Sequence, residues 1–268
     1  LSSDLIAQHA GAKIIDYSQY GNNGTRKSNL SSDFGRNFTD GKFSKALVFD
    51  GYNDYVNVSI ANFPNIGTTT DNYTVELWVK TNNANTNSYI VAKRGDATNT
   101  YPFVFYMPNA GTPRFIVRDG TVNPLVDGIR IDDNNWHHIA GTRNGGADII
   151  RLFIDGVQVG SATDNAGDST NSDNVYIGLN GADNLYFNGT IDEVAIWNVS
   201  LSSDLIKQQA QRGLTNLSIY YSASNDSTTW SGWNRALNNT LTTTNTLARY
   251  FRYLAKFNTS ATNLTPIL

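Results

Sequence analysis

The sequence predicts an all-β fold: an antiparallel two-sheet sandwich closed by one short helix and followed by a small β tail. Three observations carry this. Short runs of β-branched and aromatic residues recur along most of the chain. Clusters of Gly, Asn and Asp separate them, as turns require. A single stretch just after residue 200 combines helix-start and helix-stop signals.

Taken in order, the strand-like runs are Ala46–Asp50, Tyr55–Ser59, Tyr73–Lys80, Tyr89–Lys93, Phe103–Met107, Arg114–Arg118, Trp136–Thr142, Ile149–Ile154, Val157–Val159, Val175–Ile177 and Thr190–Trp197. Side chains alternate across a strand, so Val75, Leu77 and Val79 share one face while Glu76 and Trp78 share the other. Trp78, Trp136 and Trp197 lie in strand-like runs and are expected in the core. Asp155-Gly156 separates two runs by two residues that tolerate positive φ, which predicts a type I′ hairpin. The helix is expected over Leu201–Gly213, with Ser202 or Ser203 as cap, Leu205 and Ile206 as apolar edge, and Gly213 ending it in the left-handed conformation. Beyond it, Leu217–Ser222 and Arg249–Phe257 read as two strands, too few for an independent sandwich. The expected division is a sandwich over residues 1–215 and a β-rich tail, or partial second sandwich, over 216–268.

Charge narrows the partners. The formal net charge is −3, with 16% charged residues, and there is no basic block, so the chain lacks the electrostatic footprint of a nucleic-acid or anionic-membrane binder. No apolar run reaches bilayer length, and Leu1–Ala10 lacks a basic segment followed by an apolar one, so a signal peptide or anchor is expected outside this chain. Absence of cysteine removes disulfides, thiolate metal sites and cysteine nucleophiles. About a dozen Asn-X-Ser/Thr sequons stand where composition gives roughly half as many, which points to an N-glycosylated exterior protein. They begin at Asn23, Asn29, Asn37, Asn57, Asn72, Asn188, Asn198, Asn216, Asn225, Asn238, Asn258 and Asn263. The hexapeptide Leu-Ser-Ser-Asp-Leu-Ile occurs at residues 1–6 and again at 201–206, a spacing closer to whole-domain duplication than to a solenoid.

Several phrases in order resemble the laminin-G-like, concanavalin A-like jelly-roll family. They are Asp16–Thr25, Ala46–Val56, Tyr73–Lys80, Trp136–Ala140, Leu152–Val157 and Phe187–Trp197, ending in a Leu-Ser helix, and they cover about residues 10–213. The tail is similar to a short β module that follows such domains in surface proteins. The resemblance implies an antiparallel two-sheet jelly-roll sandwich in an extracellular, non-catalytic module of a secreted or cell-surface protein. Such a module would mediate adhesion or carbohydrate or protein recognition. Two other roles fit the same fold: a repeat of a surface layer or filament built from copies of itself, and an accessory domain of a secreted glycosidase.

Glycoside hydrolysis needs paired carboxyl groups. The only glutamates are Glu76 and Glu193, far apart in sequence and outside any Glu-x-Asp-x-x-Glu cluster, so no catalytic residues are assigned. His137 and His138 are adjacent on a strand and point to opposite faces; His9 is the only other histidine, which disfavours a His-based metal site or triad. The resemblance implies a structural calcium held by Asp50, the Gly51 carbonyl and Asp192, with Asp16 as an addition. It also implies a rim site drawing on Arg94, Asp96, Asn180 and Asp183. Tyr101, expected in an exposed loop, is the aromatic best placed to stack on a sugar.

Overall fold

The computed structural model describes residues 13–16, 18, 20–27, 38–43, 45–59, 65–83, 87–94, 99–108, 110–212, 215–235 and 249–259, with backbone alone at 215–220, 234–235 and 253–259. The chain divides into two compact units, Leu1–Ala210 and Gln211–Leu268.

The first unit is a sandwich of two antiparallel sheets, its strands numbered in chain order. Sheet A runs β1 (Lys13–Ile14), β2 (Gly24–Lys27), β5 (Tyr55–Val58), β14 (Val175–Ile177), β7 (Ser88–Lys93), β8 (Thr100–Met107), β9 (Arg114–Asp119), β10 (Leu125–Asp127). Sheet B runs β13 (Val157–Thr163), β12 (Ile149–Ile154), β11 (His137–Asn144), β6 (Asn72–Lys80), β15 (Asn188–Trp197), β4 (Lys45–Asp50), β3 (Phe38–Asp40). The core lies between them. Val56, Ile90, Phe103, Phe105, Phe115 and Val117 of sheet A meet Val75, Leu77, Val79, Ile139, Ile150 and Leu152 of sheet B, and all are buried. Removing each such side chain from water contributes roughly 1.5–3 kcal/mol.

The Asp155-Gly156 turn has φ of 51° and 78°, the left-handed pair that a type I′ hairpin requires. Helix α1 (Ser203–Ala210) is shorter than expected at both ends, and Ser202 Oγ caps it by accepting the Leu205 N–H at 3.3 Å. Its fully buried Ile206 packs on Ala140 and Phe153, so the helix covers part of the outer face of sheet B.

A charged pair is built into the interior. Arg143, wholly buried, donates through Nε to Asp164 at 2.5 Å and through Nη1 to the Thr68 carbonyl at 2.8 Å. Asp164 opens the crossing segment that leads from β13 in sheet B to β14 in sheet A. Along it the Gly167 N–H donates to Asp119 at 2.7 Å and Ser169 Oγ to the Gly67 carbonyl at 2.9 Å. Buried Lys93 then donates to Asn171 O and Oδ1 and to the Asp173 carbonyl at 2.7–2.9 Å, and burial lowers its pKa to about 8.

The second unit contains a three-stranded sheet in the order β17 (Asn234–Arg235), β16 (Thr215–Ser224), β18 (Tyr250–Thr259). The long β16–β18 pair is the one expected; β17 is a two-residue addition. Arg252 lies 4.5 Å from the ring centre of Trp230 and 4.9 Å from that of Trp233, a cation–π clamp.

Candidate ligand-binding face

Pairing register decides which side chains of sheet A turn away from the core. Tyr176 lies opposite Asn57 and Ala92, Tyr89 opposite Tyr106, Val104 opposite Ile116, and Tyr101 opposite Arg118. Directly paired residues share a face, so Tyr55, Tyr176, Tyr89, Tyr106, Tyr101, Arg114 and Arg118 all belong to the outer face. Bulges at Tyr89/Val91 in β7 and Tyr101/Val104 in β8 keep the tyrosines on this side while Ile90, Val91 and Phe103 face inward. The rings are in tilted contact: Tyr55 with Tyr176 at 6.2 Å and with Tyr186 at 6.4 Å, Tyr89 with Tyr106 at 4.9 Å. Tyr55, Tyr106, Tyr176 and Tyr186 are half-buried, which leaves aromatic surface for a ligand.

Polar groups converge at the middle of this row. Arg94 Nη1 donates to the Tyr89 hydroxyl and to Asp183 Oδ2, both at 2.7 Å. The Tyr89 hydroxyl donates to the same carboxylate oxygen at 3.2 Å, and Asn180 Nδ2 at 3.0 Å. Asn180 Oδ1 accepts the Ala182 and Asp183 N–H groups, so a turn fixes the carboxylate. Burial pushes the Tyr89 hydroxyl up to about 12. Burial opposes charge on Asp183, yet the Asn180 amide and the Arg94 guanidinium outweigh it and hold the carboxyl below its ordinary value. The guanidinium also lies 5.4 Å from the centre of the Tyr101 ring.

Three of the four expected rim residues, Arg94, Asn180 and Asp183, are thus brought together, with Tyr101, the aromatic expected to stack on a sugar, beside them; Asp96 lies outside the described residues. Tyr101 needs a correction. It belongs to β8 rather than to a loop and is 8% exposed, because Val104, Ile116 and the Arg94 guanidinium close over it. Half-buried Tyr106 and Tyr176 present the accessible rings that Tyr101 does not.

The expected calcium ligands are not brought to one place. Asp50 pairs with Asn188, and Asp192 lies four residues further along β15, about 13 Å away at strand spacing. Each carboxylate is occupied by backbone. Asp50 Oδ1 accepts the Tyr52 and Asn53 N–H groups, with Gly51 at φ 83° making the turn. Asp192 accepts from Phe43 and Glu193, and burial raises its pKa. Asp16 accepts from Ser18 and Asn22. Among the described residues no three His or acidic side chains are grouped to hold a metal ion, and Asp50 and Asp192 stand too far apart to share a calcium.

Comparison with known proteins follows from this architecture. A family model described as Laminin_G_3, concanavalin A-like lectin/glucanases superfamily, matches residues 50–207, more than half of the chain. The chain belongs to this superfamily. No curated protein matches it. The binding domain of Paraclostridial Mosquitocidal Protein 1 is similar with TM-score 0.62 at 17% identity, covering 80% of this chain and 56% of that one. The Botulinum Neurotoxin serotype G binding domain gives 0.57 at 15%, covering 78% and 54%. Domain 4 of AbnA, a GH43 extracellular arabinanase from Geobacillus stearothermophilus in complex with arabinotriose, gives 0.51 at 24%, covering 65% and 80%. At these identities the likeness is one of fold, and the chain spans just over half the length of the two toxin domains.

In this Laminin_G_3 sandwich the opposite outer face, on sheet B, carries a second polar cluster. Glu76 and Trp78 share it as expected, both almost fully buried, with Trp78 in contact with His138 at 5.4 Å and Phe43 at 5.9 Å. Glu76 Oε2 lies 3.4 Å from His138 Nε2. Trp197, expected in the core, is 39% exposed because it ends β15. His137 and His138 do face apart: His137 sits between Asp133 and Asp155 at 3.0 and 2.8 Å. Of the sequon asparagines, Asn72, Asn198 and Asn225 are exposed, and Asn23, Asn57 and Asn188 are half-buried. Side chains of Asn216 and Asn258 are not described, and Asn29, Asn37, Asn238 and Asn263, like His9 and the first Leu-Ser-Ser-Asp-Leu-Ile, lie outside the described residues.

Sequence reasoning missed Tyr89, Tyr106, Tyr176 and Arg118 as members of a site. Their common face follows from strand order and bulges, and the available signal was only the presence of a Tyr in each of the runs that form β5, β7, β8 and β14.

Proposed function

We propose that this sandwich is a non-catalytic glycan-recognition module of a secreted or cell-surface protein, and that the saccharide docks on the outer face of sheet A. The observation that carries this reading is the row of half-buried tyrosines beside the Arg94–Asp183–Tyr89–Asn180 network. Sugar rings offer apolar C–H faces for stacking and hydroxyls for fixed polar groups, and this face supplies both. Membership of a lectin/glucanase superfamily and the likeness to an arabinanase domain solved with arabinotriose support the same ligand class. A non-catalytic role is favoured by the glutamates: Glu76 is buried and engaged by Trp197, and Glu193 sits in the β15 bulge at φ 49°.

A glycan array probed with the intact chain tests the reading. Binding that is lost in Tyr106→Ala and Tyr176→Ala, with melting temperature preserved, is the expected result. Glycan binding that survives both substitutions, or binding only to protein ligands, would overturn it.

A further inference from the structure

The arginines on this face are not equally provided for. Arg94 has Asp183 at 2.7 Å and Arg114 has Asp127 at 2.6 Å. Among the described residues Arg118, half-buried and paired across strands with Tyr101, makes one hydrogen-bond contact, a long one from Nη2 to the Gly120 carbonyl at 3.5 Å. No carboxylate among the described residues forms an ion pair with it. Nε of Arg118, whose residue pairs in register with Tyr101, and Nε of Arg94, whose guanidinium lies over the Tyr101 ring, are both shielded from solvent with no hydrogen-bond partner among the described residues. A guanidinium offers five donors in a rigid fork suited to planar or tetrahedral oxyanions. A donor shielded from water and left without an acceptor is costly unless a ligand completes it.

We propose that Arg118, with Tyr101 and Arg94 beside it, forms a subsite for an oxyanion substituent of a saccharide, a carboxylate or a sulfate, so that acidic glycans are the ligand class. This rests on the glycan-binding reading above and specifies it. The tyrosine row holds the sugar rings, and the Arg118 fork, at the β9 end of that row, takes the charged group. Small rotations of the Arg118 and Arg94 side chains bring their shielded edges to the ligand, exchanging an unmet donor for a charge-assisted hydrogen bond.

Calorimetric titration of the intact chain with three probes of equal length tests this: oligogalacturonides for the carboxylate, sulfated galacto-oligosaccharides for the sulfate, and neutral galacto-oligosaccharides. At least one acidic probe is expected to bind about tenfold or more tightly than the neutral one, as a charge-assisted hydrogen bond gives; whichever acidic probe binds tighter identifies the substituent. Arg118→Gln is expected to bring acidic and neutral affinities together. Arg118→Lys, which keeps the charge but not the fork, is expected to retain part of the preference and carries the test if the Gln variant does not fold. Equal binding of acidic and neutral probes, or a preference unchanged in both variants, overturns the oxyanion subsite and leaves the glycan reading standing. Failure of all three probes to bind counts against both.

Discussion

Trp197 and Glu76 are joined across two strands of sheet B: the half-exposed indole donates through Nε1 to Oε1 of the buried carboxylate at 2.9 Å. Among the described residues this is the one hydrogen bond the Glu76 carboxylate accepts; Oε2 lies 3.4 Å from His138 Nε2 without making one. Trp197→Phe keeps most of the apolar contact and removes the donor, leaving a buried acceptor unmet. Urea denaturation is expected to show a loss of about 1–3 kcal/mol, most of it recovered when Glu76→Leu is added. An additive double mutant would show that the two residues are not coupled.

His137 gives the stability a pH dependence with a definite sign. Its hydrogen bond to Asp155 comes first among the causes that raise its pKa above 6.5, burial opposes, and Asp133 adds to the rise. Asp155 is held below 3.8 although burial opposes it, through bonds to His137 and to the His138 N–H, and Asp133 is held at about 2. A raised histidine contributes its full stabilisation below its unfolded pKa and loses it as pH rises through the folded one. A depressed aspartate contributes above its unfolded pKa and loses it as pH falls. The charged bridge is therefore at full strength between about pH 4 and 6.5. The melting-temperature gap between wild type and His137→Gln should be widest there and close above neutrality; a gap that stays constant to pH 9 would refute it.

Arg143 and Asp164 are both buried, so losing one partner strands the other charge. Asp164→Asn is expected to destabilise the sandwich by about 3–5 kcal/mol, measured by chemical unfolding. Replacing both by Met and Leu should cost much less than that.

Gly141 sits on β11 where an added Cβ would lie 2.3 Å from the Phe115 ring. Gly141→Ala must push that ring out of the inter-sheet core, and a loss of about 1–3 kcal/mol is expected. Adding Phe115→Leu should restore part of it. If Gly141→Ala alone proves neutral, the two sheets are less closely packed at this point than the structure has them.

The strands were legible in sequence wherever β-branched and aromatic residues alternate with turn signals on both sides, and the eleven runs from Ala46 to Trp197 all correspond to strands. β1, β2, β3, β10 and β17 were not, because each is only two to four residues long, too short for an alternating pattern to show, and is defined by the strand it pairs with. Arg94, Asn180 and Asp183 could be grouped in advance only through the resemblance to the jelly-roll family, since Asn and Asp in loops by themselves signal no more than turns. Asp50 and Asp192 could not be separated in advance, because register sets their distance and one sequence does not state register. Buried Arg143 and Lys93 carry no sequence signal, as a charged residue's interior partner is invisible until the sheets are stacked.

The segment from Asp164 to Asn174 has the Asn, Ser, Gly and Asp content of a linker. Held by Arg143 at one end and Lys93 at the other, with Gly167 and Ser169 bonded between, it behaves as a clasp across both sheets. Its composition would invite a domain insertion or a circular-permutation break, and the clasp makes it one of the worst places for either. Non-specific proteases should cut it only when the whole sandwich opens, and its Gly167 and Ser169 amides should exchange hydrogen as slowly as those of the central strands.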